Sequence, residues 1–301
     1  MAIELKPQNT NVITLEEFIE YAEEHVDMRN EQSLQDAAPM MKALGNNRDF
    51  LADKINEELV KLANFQEDNH YGAQVLMLGR TNKFFMRACF WPSAQDKSYK
   101  ESGPESFFYY LPHDHNFNFL SVGYYGPGYK SEYYEYDHDK VIGMPGEKVD
   151  LKYIRTSQLE QGKVMLYRGK KDIHYQIPPE SFSISINLME DSLDLPRINQ
   201  YRFDLENRCI HSLINRNSGP VLADIAAKVG NENTRQLLTD LGVRTTCPRT
   251  KSAIVKSLAT RLPSRNQIDF IESHLTGKND YFNAQLLHQI NELQVRETSL
   301  C

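Results

Sequence analysis

Apolar residues near the amino terminus recur at every third or fourth position, which is the period of an amphipathic helix. Thr14 followed by Glu17 matches a capping box, so the sequence predicts a helix that begins near Leu15. Further apolar stripes of the same period follow, interrupted by the Gly-Asn-Asn sequence at 45–47. We therefore predict that residues 1–70 form a helical segment that packs on the outside of the next part of the chain.

From residue 71 onward the pattern changes to that of β-strands. The segments AQVLMLG and FFMRACFWP are rich in strand-forming residues and flank the polar sequence RTNK, which predicts a hairpin. Two longer strand-rich segments follow at 107–137 and 159–189, and another hairpin is expected before residue 216. We predict that residues 71–216 form a small antiparallel β-barrel.

The helical period returns after Ser218 and continues to the last residue. Pro220 stands at the start of an apolar stripe that Gly230 ends. Its members are Val221, Leu222, Ile225 and Val229. About five short helices are predicted, so residues 217–301 read as an α-helical bundle or repeat domain. This domain is a candidate for covering the barrel, for forming a homodimer or for binding a protein partner. The predicted fold class of the whole chain is α+β.

Composition limits the partners of the protein. The formal net charge is −7, with 34 basic and 41 acidic residues, which argues against a nucleic-acid or anionic-membrane surface. No segment approaches the roughly 20 apolar residues of a membrane span, and the amino terminus lacks a signal-peptide core, so a cytoplasmic protein is expected. The four cysteines lack C-x-x-C spacing, which favours neither a disulfide framework nor a zinc knuckle.

Three histidines are the strongest chemical signal. His113 and His115 are separated by one residue in a predicted strand, so their side chains should point to the same face. His174 lies in a later predicted strand of the same apolar type, which an antiparallel barrel can bring to the same point. Because imidazole is the commonest ligand of catalytic metals, we predict a mononuclear metal site at these three residues.

These motifs resemble the cupin superfamily, in which an H-x-H pair is followed by a glycine, here Gly162, and a third histidine. More narrowly, the order HDH, DIHYQI and SISINL over residues 72–190 resembles the thiol dioxygenases of the cysteine dioxygenase type. The resemblance implies a double-stranded β-helix, iron(II) held by three histidines and oxygenation of a small molecule with O2. A thiol is the substrate class that it suggests.

The chain also departs from these families. Most metal cupins have a glutamate four or five residues after the second histidine, where this chain has Phe119 and Leu120, and this favours a site of three histidines. The cysteine that thiol dioxygenases cross-link to a tyrosine would fall at Leu120, and only Ser185 remains of their Ser-x-His-x-Tyr run. The substrate therefore does not carry over from the family.

Further candidates surround the predicted site. Residues considered for binding substrate are Gln74, Arg87 and Ser185. Candidates for a catalytic hydroxyl are Tyr109, Tyr124 and Tyr134, from a tyrosine-rich region that barrel packing would explain equally well. Glu132 and Glu135 are either an additional carboxylate ligand or solvated residues.

The leading interpretation is an iron(II)-dependent oxygenase of the cupin type. One alternative is a non-redox metal cupin, an isomerase or hydrolase that uses zinc or manganese. Another is a ligand-sensing or scaffold module whose carboxy-terminal helices bind a protein partner.

Overall fold

The structure is a computed structural model that describes residues 2–61, 66–67, 69, 71–72, 74–215 and 217–299. The chain divides into two compact units. The first unit consists of Met1–His138, Val149–Leu195 and Arg202–Arg208. The second unit consists of Asp139–Lys148, Pro196–Tyr201 and Cys209–Cys301.

Helices and strands are mixed in the first part of the chain. The helices are α1 (Leu15–His25), α2 (Glu31–Asp36), α3 (Ala38–Asn46), α4 (Phe50–Lys61) and α5 (Lys97–Ser102). The first strands are β1 (Ile3–Leu5), β2 (Val75–Arg80), β3 (Phe84–Trp91), β4 (Phe119–Tyr125), β5 (Lys130–Glu135) and β6 (Lys152–Gln158). The later strands are β7 (Val164–Tyr167), β8 (Asp172–Ile177), β9 (Ser183–Glu190), β10 (Tyr201–Asp204) and β11 (Cys209–Leu213).

Two antiparallel sheets form the body of the first unit. The larger sheet has six strands in the order β1-β7-β4-β9-β3-β2, and the smaller has three in the order β6-β5-β8. The predicted hairpin is confirmed as β2 and β3, and β10 and β11 form a separate two-stranded sheet. Strand pairing across the described residues gives facing sheets and does not close them into the single barrel expected from the sequence.

The larger sheet has two different faces, because alternate side chains along a strand point to opposite sides. One face packs on the helices of the first unit, and we call this the helix-side core. It includes Leu76, Phe84, Met86, Leu120, Val122, Val164, Leu166, Ile186 and Leu188, together with Phe18, Leu34, Met41 and Leu44 from the helices. The other face points toward the smaller sheet, and we call the residues between the sheets the inner cluster. It includes Phe85, Cys89, Trp91, Phe119, Met165, Tyr167 and Met189, together with Tyr109, Tyr129 and Tyr133.

The capping box predicts the start of α1 correctly. The Thr14 hydroxyl accepts a hydrogen bond from the Glu17 amide (3.1 Å), and the Glu17 carboxylate accepts one from the Thr14 amide (2.8 Å). These two bonds satisfy amides that the first turn leaves without intrahelical partners. The predicted break is also present, since α3 ends at Asn46 and α4 begins at Phe50.

The second unit carries the predicted carboxy-terminal helices. They are α6 (Ser218–Val229), α7 (Glu232–Arg244), α8 (Pro248–Ala259), α9 (Ser264–Glu272) and α10 (Tyr281–Ser299). The core around α8 includes Ile254, Val255, Ala259, Ile271, Phe282 and Leu286. Within the described residues, no helix combines the length and the apolar character needed to cross a lipid bilayer.

The apolar stripe predicted on α6 lies on the exposed side of that helix. Val221, Leu222 and Val229 are 61%, 66% and 81% exposed, whereas Ala223 and Ala227 are buried. The two alanines allow α6 to lie close against its neighbours, so the small residues and not the large ones face the core. Gly230 ends the helix as predicted, and its amide donates to the Ala226 carbonyl.

Candidate metal centre

His174 reaches the space between the two sheets from β8, an edge strand of the smaller sheet. It lies opposite Tyr133 of β5, which belongs to the inner cluster. The strand predicted around His174 is therefore confirmed, and its side chain is buried.

The H-x-H pair does not lie in a strand as expected. Only His113 forms a bridge with β8, where its amide and carbonyl exchange hydrogen bonds of 3.1 and 3.0 Å with His174. Pro112 has no amide to continue such a ladder, and its carbonyl accepts from the Phe203 amide instead. The His115 carbonyl accepts from the Lys170 amide at 2.6 Å. These bonds fix an irregular segment from which both imidazoles still point toward His174.

The three imidazoles converge through their Nε2 atoms. The Nε2 of His174 lies 3.0 Å from that of His113 and 3.1 Å from that of His115. One ligand atom from each residue lies within 4.8 Å of the others. Two nitrogens that each lie about 2.1 Å from one ion, at roughly a right angle, are about 3.0 Å apart. The donor set therefore fits a single first-row metal ion.

A hydrogen bond at the outer nitrogen of His113 favours this orientation, whereas His174 is oriented by packing. The Nδ1 of His113 lies 2.7 Å from the Leu111 carbonyl, to which it can only donate, so the Nε2 lone pair points inward. The Nδ1 of His174 is buried and has no hydrogen-bond partner in the described parts of the chain. The His174 ring is instead held by packing, with the rings of Tyr167 and Phe119 at 5.1 and 6.4 Å.

Burial keeps the three imidazoles neutral. It lowers the pKa of His113 to about 4, against the opposing effect of the Leu111 hydrogen bond. Burial and the neighbouring imidazoles hold the pKa values of His115 and His174 well below 6.5. Neutral imidazole is the form that binds a metal, so protons do not compete for these nitrogens at pH 7.

Aromatic rings surround the histidines. Phe119 and Tyr167 stack at 4.3 Å with an interplanar angle of 1°, and Phe119 also lies 4.8 Å from the His115 ring. Phe117 lies 5.1 Å from the same ring. His113 and His174 are buried, and His115 is the partly exposed member of the group. His115 is therefore the member of the group with the most solvent exposure.

A buried cluster of tyrosine hydroxyls adjoins the histidines. The Tyr167 hydroxyl lies 3.1 Å from that of Tyr133 and 3.3 Å from that of Tyr129. Burial raises the pKa of all three, so they remain neutral hydrogen-bond donors. None of these three tyrosines is among the catalytic candidates predicted from the sequence. The strand register could have identified Tyr133, which stands opposite His174.

The three tyrosines predicted to be catalytic do not belong to this hydroxyl cluster. Tyr124 belongs to the helix-side core, on the other face of the larger sheet, where its ring packs against Phe50. Tyr134 faces away from the inner cluster and donates to the Glu132 carboxylate at 2.8 Å. Tyr109 lies in the inner cluster, but its hydroxyl donates to the Pro92 carbonyl at 2.8 Å.

The three predicted substrate-binding residues differ in their surroundings. Gln74 donates to the Phe107 carbonyl at 3.1 Å, and Ser185 accepts from the Trp91 indole at 2.9 Å. Arg87 lies on β3 between Phe85 and Cys89, so it shares their inner face. Its charge contributes to lowering the pKa of both His113 and His115. Its buried Nε has no hydrogen-bond partner among the residues that the structure describes.

The carboxylates considered as additional ligands are engaged elsewhere. Glu135 pairs with the Arg168 guanidinium at 2.6 Å, and Glu132 accepts the hydroxyl of Tyr134. The side chain between the two histidines, Asp114, is fully buried and accepts from the Tyr136 hydroxyl at 2.6 Å. Over the described ranges, the group of side chains that could hold a metal ion consists of the three histidines.

No protein-family model and no curated protein matches the chain. Among solved structures, the chain is similar to RmlC from Streptococcus suis, described in complex with dTDP-D-xylose. The identity is 13%, the match covers 46% of this chain and 81% of that one, and the TM-score is 0.22. The chain is also similar to a prolyl 4-hydroxylase from Phytophthora capsici, with 10% identity over 93% of this chain and 83% of that one and a TM-score of 0.24. TM-scores at this level do not establish a common fold, so neither likeness carries a conclusion about this chain.

Proposed function

We propose that the protein is a cupin-type metalloenzyme in which His113, His115 and His174 hold one iron(II) ion and which oxygenates a small molecule with O2. The convergence of three neutral Nε2 atoms carries this proposal. Iron(II) with imidazole ligands and open coordination positions supports the activation of dioxygen. A thiol is the substrate class implied by the sequence resemblance.

The charge of the inner cluster supports an anionic substrate. Three neutral imidazoles do not offset the charge of a divalent cation, and the Arg87 guanidinium adds a further positive charge on the same face. A buried charge is costly unless it is paired. A carboxylate or thiolate on the substrate would supply that pairing for the metal ion. Arg87, whose guanidinium lies over the Tyr71 ring at 4.9 Å, would orient the anion through its Nε.

The remaining residues would control water and protons. Phe119 and Tyr167 shield the histidines on the buried side and exclude bulk water there. The Tyr167 hydroxyl, supported by Tyr129 and Tyr133, would donate a hydrogen bond to substrate oxygen. Their raised pKa values keep the protons on these hydroxyls at pH 7.

The test is the metal content of protein purified without chelators, measured by elemental mass spectrometry. We expect near-stoichiometric iron in the wild type and its loss in His113→Ala and His174→Ala. His288→Ala is the matched control, because that side chain is 63% exposed on α10. Stoichiometric zinc or manganese would favour the non-redox enzyme. If metal is absent from the wild type, or is retained in His174→Ala, the proposal is wrong.

Arg87→Met tests the anionic substrate. We expect the variant to keep its metal and to bind acetate, a simple carboxylate probe, about tenfold more weakly than the wild type, because a charge-assisted hydrogen bond is lost. The measurement is a titration of the cobalt(II)-substituted protein followed by its visible spectrum. Arg80→Met is the control, since that guanidinium already pairs with Asp191 at 2.8 Å. Equal acetate affinity in wild type and Arg87→Met would rule out this role.

A further inference from the structure

Phe108 combines two unfavourable features beside the candidate metal centre. Its backbone is left-handed, with φ 58° and ψ 17°, a conformation that bulky residues rarely adopt. Its side chain is also 48% exposed, and its ring lies 5.6 Å from that of His113. Neither backbone preference nor burial accounts for a phenylalanine here. Strain of this kind persists where the surroundings impose it and is concentrated at functional sites.

The residues on either side hold Phe108 in this position. Phe107 and Tyr109 are both buried in the inner cluster. The Tyr109 hydroxyl donates to the Pro92 carbonyl, and its amide donates to the Pro104 carbonyl at 3.2 Å. The following amide, of Tyr110, donates to the Gln176 carbonyl at 2.9 Å. With both neighbours anchored inward, the intervening side chain is turned outward and its ring is fixed next to His113.

A second aromatic ring lies beside His115. Phe117 is partly buried, and its ring centroid lies 5.1 Å from that of His115. His115 is itself the partly exposed member of the histidine group. One phenylalanine thus lies next to each histidine of the H-x-H pair.

We propose that Phe108 and Phe117 form an aromatic subsite that binds a flat apolar group of the substrate, such as a phenyl ring, while the ligating end of the substrate reaches the histidines. This inference rests on the proposed metal site, and it names the substrate class as a small molecule with an aromatic substituent. Aromatic side chains bind such groups by offset or edge-to-face contact. Phe108 is 48% exposed, and Phe117 is partly buried where it packs against the inner cluster. Phe108 and Phe117 are then specificity-determining residues.

The test compares two thiols as probes of the cobalt(II)-substituted protein. Benzyl mercaptan and ethanethiol both offer a thiolate to the metal, and thiolate-to-cobalt absorption measures their binding without turnover. We expect the wild type to bind benzyl mercaptan about tenfold more tightly than it binds ethanethiol. Phe108→Ala and Phe117→Ala should each reduce this preference and leave the ethanethiol affinity unchanged.

Two further variants make the result decisive. Phe182→Ala is the matched control, because this phenylalanine is likewise exposed (38%) but stacks on Phe90 at 6.2 Å. The preference of this variant should equal that of the wild type. Phe108→Gly removes the ring and also relieves the backbone strain. It should therefore lose the preference for benzyl mercaptan, as Phe108→Ala does, although it folds at least as stably as the wild type. A preference retained in Phe108→Ala, or absent from the wild type, overturns the aromatic subsite. Failure to form a cobalt spectrum at all would instead refute the metal site on which it depends.

Discussion

The two faces of the six-stranded sheet are built from the same strands but from different chemistry. Along β9, Ile184, Ile186 and Leu188 point to the helices and belong to the helix-side core or pack against it. The residues between them, Ser185 and Asn187, are buried on the opposite face. β3 repeats the contrast, with Met86 and Ala88 on the helix side and Arg87 and Cys89 inside.

The difference shows how one sheet separates stability from chemistry. A β-strand places successive residues on opposite faces, so each strand contributes to both functions in alternate positions. The helix-side core buries apolar area and needs only complementary shape. The inner face instead carries buried polar groups, such as the Ser121 hydroxyl, which donates to Asn187 at 2.9 Å. Neighbouring positions on one strand should therefore respond differently to substitution.

Leu188→Ala should have the largest effect on folding. It deletes a fully buried side chain from the helix-side core, and we expect the free energy of unfolding to fall by about 2–5 kcal/mol. The metal content of the folded variant should not change. Asn187→Ala, one position away, should cost less, about 1–3 kcal/mol, since it leaves the Ser121 hydroxyl unpaired. Urea unfolding monitored by circular dichroism measures both, and equal losses would contradict the separation of the two faces.

The inner face should make the metal-free protein sensitive to acid. Burial lowers the pKa of His113 from 6.5 to about 4, so between these values the folded state binds fewer protons than the unfolded state. The contribution of this group is complete above pH 6.5 and is lost as the pH falls toward 4. It amounts to about 3 kcal/mol.

The variant His113→Gln isolates this contribution, because glutamine does not take up the proton. The free energy of unfolding of the metal-free wild type should fall more between pH 7 and pH 4.5 than that of His113→Gln. Urea unfolding at the two pH values gives the difference. Parallel losses in the two proteins would mean that His113 titrates normally in the folded state.

Tyr167→Phe should have a smaller effect that is confined to the inner cluster. It removes the hydroxyl that lies between those of Tyr129 and Tyr133, and we expect a loss of about 1–3 kcal/mol because both neighbours lose a partner. Tyr125→Phe, at a side chain that is 56% exposed, should change stability by less than about 0.5 kcal/mol. The same unfolding experiment tests both, and a neutral Tyr167→Phe would show that the hydroxyl cluster contributes nothing to folding.

Local signals in the sequence predict the elements of this fold well. The capping box at Thr14 and Glu17 and the hairpin of β2 and β3 depend on residues close together in the chain, so their patterns are complete within a short window. The histidines were found because their residue type and spacing carry the signal. The irregular backbone at the H-x-H pair was not predicted. It is fixed by hydrogen bonds to Lys170 and Phe203, which lie far away in the sequence.

The sheet face to which each aromatic side chain points was harder to predict. Tyr124 lies two and four residues after Val122 and Leu120 on β4, so alternation places all three on the same face and excludes Tyr124 from the inner face. Tyr167 gives no such signal, because all four residues of β7 are buried and its sequence does not alternate. The pairing of β7 with other strands decides which face of β7 lies toward the histidines. The exposed stripe of α6 shows the same limit of sequence patterns: amphipathic spacing predicts a helix, but it does not predict which side of the helix packs against a neighbour.

The short strand β1 has a consequence for the solubility of the protein. It pairs with β7 through Ile3, Glu4 and Leu5 and so occupies the outer edge of the six-stranded sheet. Without it, the buried sequence Val-Met-Leu-Tyr of β7 would become an edge strand with free backbone donors and acceptors. Such edges pair readily with other molecules and initiate aggregation. Three residues near the amino terminus thus protect the sheet against self-association.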